Sequence, residues 1–262
     1  MVNDDQAAMV PMFSLMGRIA LVTGSSRGIG LSLARALSGA GATVVINARG
    51  DDALAAAEAE MRSEGLAVHR RSFDVCDESA VTEAVDGIEA DIGPIDILIN
   101  NAGIQRRAPL LDFPLADFRE LVEVNLVSAF IVGRAVARHM VTRKAGKIIN
   151  ICSVQSELGR PGIAPYAATK GGLKLLTRGM CADLGPLGIQ VNAIAPGYFA
   201  TELTAALVAD EEFSNWVARR TPAGRWGHVD ELGGAAVLFA SAASNFINGQ
   251  ILYVDGGMTA VV

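Results

Sequence analysis

The chain has 262 residues, 51% of them apolar and 19% charged, enough for one large α/β domain with a sizeable core. A net charge of −6 gives no global pull toward nucleic acid or an anionic membrane. Its 28 glycines and 9 prolines are not arranged in low-complexity tracts, and no run of apolar residues is long and charge-free enough to suggest a membrane-spanning helix.

Residues 1–12 carry Asp4 and Asp5 and lack a basic, apolar leader, so they are expected to form a flexible tail ahead of one domain over 13–262. From there, short apolar runs alternate with longer helical patterns. Strands are expected at 18–23, 43–47, 67–73, 95–100, 147–151, 190–194 and 251–254, several rich in Val and Ile as strands buried on both faces should be. Helices are expected at 29–39, 51–63, 78–90, 115–141, 164–184 and 229–243. This alternation predicts a single-domain α/β fold of Rossmann type, a doubly wound parallel sheet of about seven strands with helices on both faces. Residues 199–225 break the alternation with two helical pieces and are expected to form a substrate lid over the strand ends. Cys76, Cys152 and Cys181 are odd in number and lack close spacing, which fits reduced thiols in a cytoplasmic enzyme.

The first strand runs through Thr23-Gly24-Ser25-Ser26-Arg27-Gly28-Ile29-Gly30 straight into a helix. Glycines there allow a tight turn and let backbone N–H groups approach a pyrophosphate resting on the helix N-terminus. Taken alone, such a loop also suits a purely structural turn. Further along, Tyr166 and Lys170 stand four apart in a helical stretch and share one face, thirteen residues after Ser153 at a strand end. An ordinary tyrosine ionises near ~10, so a neighbouring ammonium is expected to draw it toward working pH.

The TGxxxGIG loop, Asn100-Asn101-Ala102-Gly103 after the fourth strand, Asp74 and Val75 at the third, Asn125, Ser153, YxxxK at Tyr166 and Lys170, and Pro196-Gly197 with Thr201 beyond occur in order. Together they resemble the short-chain dehydrogenase/reductase family. The resemblance implies hydride transfer with a nicotinamide cofactor and no metal. It assigns Tyr166 to proton exchange with the substrate oxygen, Ser153 to binding that oxygen, Lys170 to the nicotinamide ribose and Asn125 to a water linking Lys170 to solvent. A buried helix Asn can also simply satisfy backbone groups, and both readings stand. Cofactor contacts are expected from Gly24, Ser26, Arg27, Gly28, Ile29, Gly30, Arg49, Asp74, Val75, Asn101, Ala102, Gly103, Tyr166, Lys170, Pro196, Gly197, Phe199 and Thr201.

The second strand ends Val45-Ile46-Asn47-Ala48-Arg49, without the acidic residue that grips a ribose 2′-hydroxyl. Arg49, with Arg27, suits a 2′-phosphate, so NADP is expected and NAD is the alternative. Asp51 and Asp52 come late and suit the start of the next helix.

Four segments, Gly103-Ile-Gln-Arg-Arg-Ala-Pro-Leu110 together with 150–158, 195–202 and 220–227, resemble a branch of the family acting on sugar acids. That resemblance implies a small sugar-acid substrate, with Arg106 or Arg107 binding its carboxylate beside Ser153 and Tyr166. Family resemblance further implies a homotetramer. Two rivals are a 3-oxoacyl-carrier-protein reductase, which should favour a basic docking surface, and a silent NADP-sensing protein, which should lack part of the Ser–Tyr–Lys set. His69, His139 and His228 show no ligand spacing, and Trp216 and Trp226 suit packing of the lid.

Overall fold

The computed structural model describes residues 11–262, so all but the end of the expected tail lies outside the described residues. In chain order, β1 (Ile19–Val22), α1 (Gly28–Gly39), β2 (Thr43–Ala48), α2 (Asp51–Ser63) and β3 (Val68–Ser72) form the first half. The second begins with α3 (Glu78–Asp91), β4 (Ile95–Asn100), α4 (Leu115–Val122), α5 (Ser128–Arg143) and β5 (Gly146–Ile151), and continues with α6 (Ala164–Leu184) and β6 (Ile189–Pro196). After it come β7 (Phe199–Ala200), α7 (Ala205–Val208), α8 (Glu211–Arg220), β8 (Gly227–His228), α9 (Gly233–Ala240) and β9 (Ile251–Val254).

Seven strands pair in parallel in the order β3-β2-β1-β4-β5-β6-β9, the doubly wound sheet that the alternation predicts. Residues on successive positions of one strand enter opposite cores. Ala20 and Val22 join the cluster with α1, α2 and α9, whereas Leu21 joins the cluster with α3 and α5. Both faces being covered explains why the strands read as unbroken apolar runs. The strand order reverses between β1 and β4, which lie side by side, and parallel pairing brings their C-terminal ends to one edge. That is where an open α/β sheet leaves its ligand crevice.

Three local departures from the sequence pattern matter. The helix expected over 115–141 is broken by a π-turn at Glu123–Val127, which carries Asn125. A π-turn inserts one residue into the helical repeat and commonly marks a functional position. The helix expected over 229–243 is α9 flanked by two short 3₁₀ turns, Val229–Leu232 and Ala242–Ser244. The segment 199–225 holds the expected helical pieces, α7 and α8, but its base is fastened by an unexpected two-stranded parallel sheet, Phe199 opposite Gly227 and Ala200 opposite His228. Among the described residues no helix is long and apolar enough to cross a membrane.

The glycine loop is packed to the point where a single methyl does not fit. A Cβ on Gly30 would lie 2.3 Å from the Gly24 carbonyl oxygen and 2.5 Å from Asn101 Nδ2. Gly30→Ala should therefore lower unfolding stability by about 1–3 kcal/mol. Urea denaturation checks this, and an unchanged midpoint would mean that the loop yields without cost.

Candidate active site

Thr23 follows β1 directly and ties the turn there to the segment after β4. Its Oγ1 accepts hydrogen bonds from the N–H groups of Asn101 (3.0 Å) and Ala102 (3.1 Å). Asn101 answers with Nδ2, which donates to the carbonyls of Thr23 (3.0 Å) and Gly24 (2.8 Å). Gly24 has φ +60°, and a Cβ there would come within 2.8 Å of Ala102 Cα, so the two loops touch backbone to backbone. Asn47, at the end of β2, closes the third side. It is 1% exposed, and its Nδ2 donates to the carbonyls of Arg71 (3.2 Å) and Phe73 (3.1 Å).

These loops border a cavity of about 290 Å³. Its wall includes Gly24, Arg27, Gly28, Ile29, Gly30, Asn101 and Gly103. Ser153, Tyr166, Lys170, Pro196, Gly197, Phe199 and Thr201 line it as well, and so do Gln105, Arg107 and Arg160. No side chain caps the N-terminus of α1, whose first residue is Gly28 at φ +57° with open space where a Cβ would stand. Free N–H groups, helix dipole and missing side chain together fit a pyrophosphate. The residues present therefore fit a dinucleotide.

Other expected contacts lie outside that wall. Ser26 and Ala102 flank it. Arg49 is exposed at the end of β2, where its carbonyl accepts a hydrogen bond from Ser72 Oγ (2.9 Å). Asp74 turns the chain after β3 by accepting from the Cys76 N–H (3.0 Å), and Val75 is buried beside it. The Cys76 thiol is pushed up to about 11, first by burial and then by Asp74, with Arg49 pulling the other way. Arg49, Asp74 and Cys76 therefore share one corner beside the glycine loop.

Tyr166 and Lys170 stand on α6, and Ser153 follows β5 in extended backbone, its Oγ accepting from the Gln155 N–H (3.1 Å). Lys170 is 5% exposed and donates from Nζ to the Ile151 carbonyl (2.7 Å). Burial pushes its ammonium below the usual lysine range. The Tyr166 phenol is pushed up to about 12, chiefly by burial, while the neighbouring Ser153 hydroxyl and Arg107 act to lower it. Lys170 is not among the groups that lower it. Desolvation outweighs these, and Lys170 Nζ sits 5.9 Å from the Tyr166 ring centre, turned onto a backbone carbonyl.

Asn125 does not line the cavity. Its Oδ1 accepts from the Ile104 N–H (2.7 Å), and its Nδ2 donates to the Ile104 carbonyl (3.0 Å) and to Thr169 Oγ1 (3.3 Å). The side chain thus ties the loop after β4 to α6, one residue before Lys170.

The arginine pair after Asn101 divides. Arg107 lines the cavity, whereas Arg106 turns outward and pairs with Glu120 on α4 (3.0 Å). Arg160 is missed by the sequence reading, since no motif contains it. It lines the same cavity, 5.2 Å above the Phe213 ring. Gln155 Oε1, Tyr198 Oη and Arg160 Nε are buried without a hydrogen-bond partner among the described residues. Trp216 and Trp226 pack edge-on to Tyr198 with ring centres 5.7 Å away. Arg27 reaches across the cavity mouth to Glu202 (3.5 Å), both side chains exposed.

Known proteins resemble this chain over nearly its full length. A family profile described as Enoyl-(Acyl carrier protein) reductase matches residues 24–259. Gluconate 5-dehydrogenase of Gluconobacter oxydans (strain 621H) is 60% identical over 248 residues, which cover 95% of this chain and 97% of that protein. The 5-keto-D-gluconate 5-reductase of Escherichia coli (strain K12) is 52% identical, covering 97% of this chain and all (100%) of that one. Among solved structures, a gluconate 5-dehydrogenase from Burkholderia cenocepacia J2315 in complex with NADP and tartrate superimposes with a TM-score of 0.94. It is 60% identical, and the match covers 96% of this chain and 99% of that one. Similarity of this depth, together with the order of motifs along one doubly wound sheet, means that the chain belongs to the short-chain dehydrogenase/reductase family.

Proposed function

We propose that the protein interconverts 5-dehydro-D-gluconate and D-gluconate with NADP(H). The observation that carries this reading is the convergence of Ser153, Tyr166 and the unpaired guanidinium of Arg107 on one cavity beside the glycine loop. The relatives from Gluconobacter and Escherichia act on gluconate and 5-keto-D-gluconate by name, and the Burkholderia relative holds NADP and a dicarboxylate.

Gly24, Gly28 and Gly30 with the α1 N-terminus hold the pyrophosphate, and Arg27 and Arg49 take the 2′-phosphate. Asp74 and Val75 border the adenine, Asn101 to Gly103 the adjoining ribose and nicotinamide side, and Pro196, Gly197, Phe199 and Thr201 the nicotinamide. When bound, the reduced cofactor supplies a hydride to the substrate carbonyl carbon. Tyr166 donates its phenolic proton to the carbonyl oxygen as the C=O π bond gives way to C–H and O–H bonds, and Ser153 donates a hydrogen bond to that oxygen. Lys170 holds the nicotinamide ribose and, as an ammonium, steadies the phenolate left on Tyr166. Asn125 acts as a positioning residue, fixing the loop and helix that carry these groups. Residues 199–225 close over the substrate as a lid. The reading further assigns the enzyme to the cytoplasm, where its three unpaired thiols stay reduced, and to a homotetramer.

The direct test follows NADPH oxidation with 5-keto-D-gluconate beside NADH and an acetoacetyl thioester. Rapid turnover of the keto acid with NADPH supports the reading. Activity on the thioester alone would replace it with a carrier-protein reductase, and no turnover at all would favour a silent NADP-binding protein.

Tyr166→Phe should cut turnover by about 100- to 10,000-fold while NADPH still binds. The same variant tests the electrostatics. With its folded phenol pushed up to about 12 and an ordinary value near ~10 when unfolded, Tyr166 lowers stability as pH rises through that window, because only the unfolded chain releases the proton there. A tyrosinate absorbance titration of wild type minus Tyr166→Phe should show the step near about 12. A step near ~10 would contradict the burial argument.

Arg49→Asp should weaken NADP binding by about tenfold or more and leave NAD binding nearly unchanged, because only NADP offers a phosphate to the guanidinium. Titration of cofactor fluorescence reads both, and an equal loss would remove Arg49 from the phosphate.

A further inference from the structure

Two guanidinium groups face one cavity from different loops, Arg107 after β4 and Arg160 between β5 and α6. Arg107 lies below the ordinary arginine range, first through burial and then through repulsion by Arg160, and no carboxylate acts on it. Arg160 Nε has no partner among the described residues. Like charges held together in a partly dry site, without a counter-ion, are unfavourable until an anion arrives between them. A carboxylate meets this need best, because its two oxygens match the fork of a guanidinium.

The support under Arg160 is equally specific. Its guanidinium lies over the ring of Phe213, a residue of α8, at 5.2 Å from the centre. Phe213 is itself packed against Tyr198 (5.7 Å) and Trp216 (5.4 Å). An aromatic face attracts the cation without neutralising it, leaving the charge available to a ligand. Gln155 Oε1 and Tyr198 Oη, both buried and unpartnered, stand on the same wall and can accept from or donate to hydroxyls of a polyol chain.

We propose that Arg160, seated on Phe213, is the specificity-determining residue that selects a polyol chain ending in a carboxylate over a neutral one of equal length. This rests on the sugar-acid reading above and deepens it. Arg107 and Arg160 grip the carboxylate from two sides, and the chain then runs toward Ser153 and Tyr166. Because Phe213 belongs to the segment that closes over the site, the carboxylate also fixes that segment.

The test uses the full chain with Arg160→Gln and Phe213→Leu. Kinetics with NADPH compare 5-keto-D-gluconate with neutral D-fructose, and calorimetry on the NADP-loaded protein compares D-gluconate with D-sorbitol. Arg160→Gln should raise the KM for the keto acid and weaken D-gluconate binding by about 100-fold, leaving kcat within a few-fold and the neutral compounds unaffected. Phe213→Leu should produce a smaller loss of the same kind, and added guanidinium ion should partly rescue Arg160→Ala. An equal loss for acidic and neutral ligands would make Arg160 structural and overturn the proposal, as would unchanged D-gluconate binding. Failure of the wild type to reduce the keto acid would overturn the substrate reading separately, since calorimetry still reports whether Arg160 selects the carboxylate.

Discussion

Everything in the site hangs from the clasp between Thr23 and Asn101. These residues directly follow the adjacent strands β1 and β4 at the point where the sheet reverses its winding, where two chain segments leave in opposite directions and open a crevice. Four hydrogen bonds, two through a hydroxyl and two through a carboxamide, join these segments without filling the space above them. The absence of side chains at Gly24 and Gly30 lets the loops come this close. The position of the helix N-terminus relative to Tyr166 follows from that contact.

The chemistry at the other end depends on dryness. Desolvation pushes the Tyr166 phenol up and the Lys170 ammonium down, so each favours its neutral form, even though Tyr166 is only partly buried. That is the state needed to protonate a ketone. The reverse reaction needs the phenolate, and a positive nicotinamide nearby would stabilise it. In the proposed mechanism one residue serves both directions, because its charge preference depends on which partners are present. A buried polar chain links the strands to α6: Asn100 donates to Asn150, and Asn150 donates to Thr177, each at 2.9 Å, while Asn100 Oδ1 has no partner among the described residues. Such buried links tie β4, β5 and α6 together without placing a charge in the core.

Much of this could be read from the sequence. The glycine loop, the Asn-Asn-Ala-Gly turn and the Tyr–Lys pair are local patterns, each forced by backbone geometry or helical spacing, and they fall where the strand and helix patterns put them. The sheet was equally legible, because strands covered on both faces leave continuous apolar runs. What could not be read depends on how distant segments meet. Arg106 and Arg107 look equivalent in sequence, and only the position of Glu120 decides which one turns away. Arg160 belongs to no spacing pattern, and its place is set by a ring on α8 that arrives 53 residues later. The π-turn around Asn125 is invisible for a related reason: its residues have ordinary helical character, and tertiary bonds to Ile104 and Thr169 accompany the extra residue.

Asn47 bears on how the protein can be redesigned. It stands near the end of β2, close to where an acidic residue would be introduced to attract the unphosphorylated cofactor. Its carboxamide, however, is already donating to two main-chain carbonyls inside a sealed junction. A carboxylate there would face those oxygens with no proton to offer and would be charged in a place water does not reach. Position 47 is thus closed to a charge by the structure it holds, whereas two residues later Arg49 faces solvent. If Arg49 holds the phosphate as proposed, that outer position is where one dinucleotide could be exchanged for the other without dismantling the sheet edge.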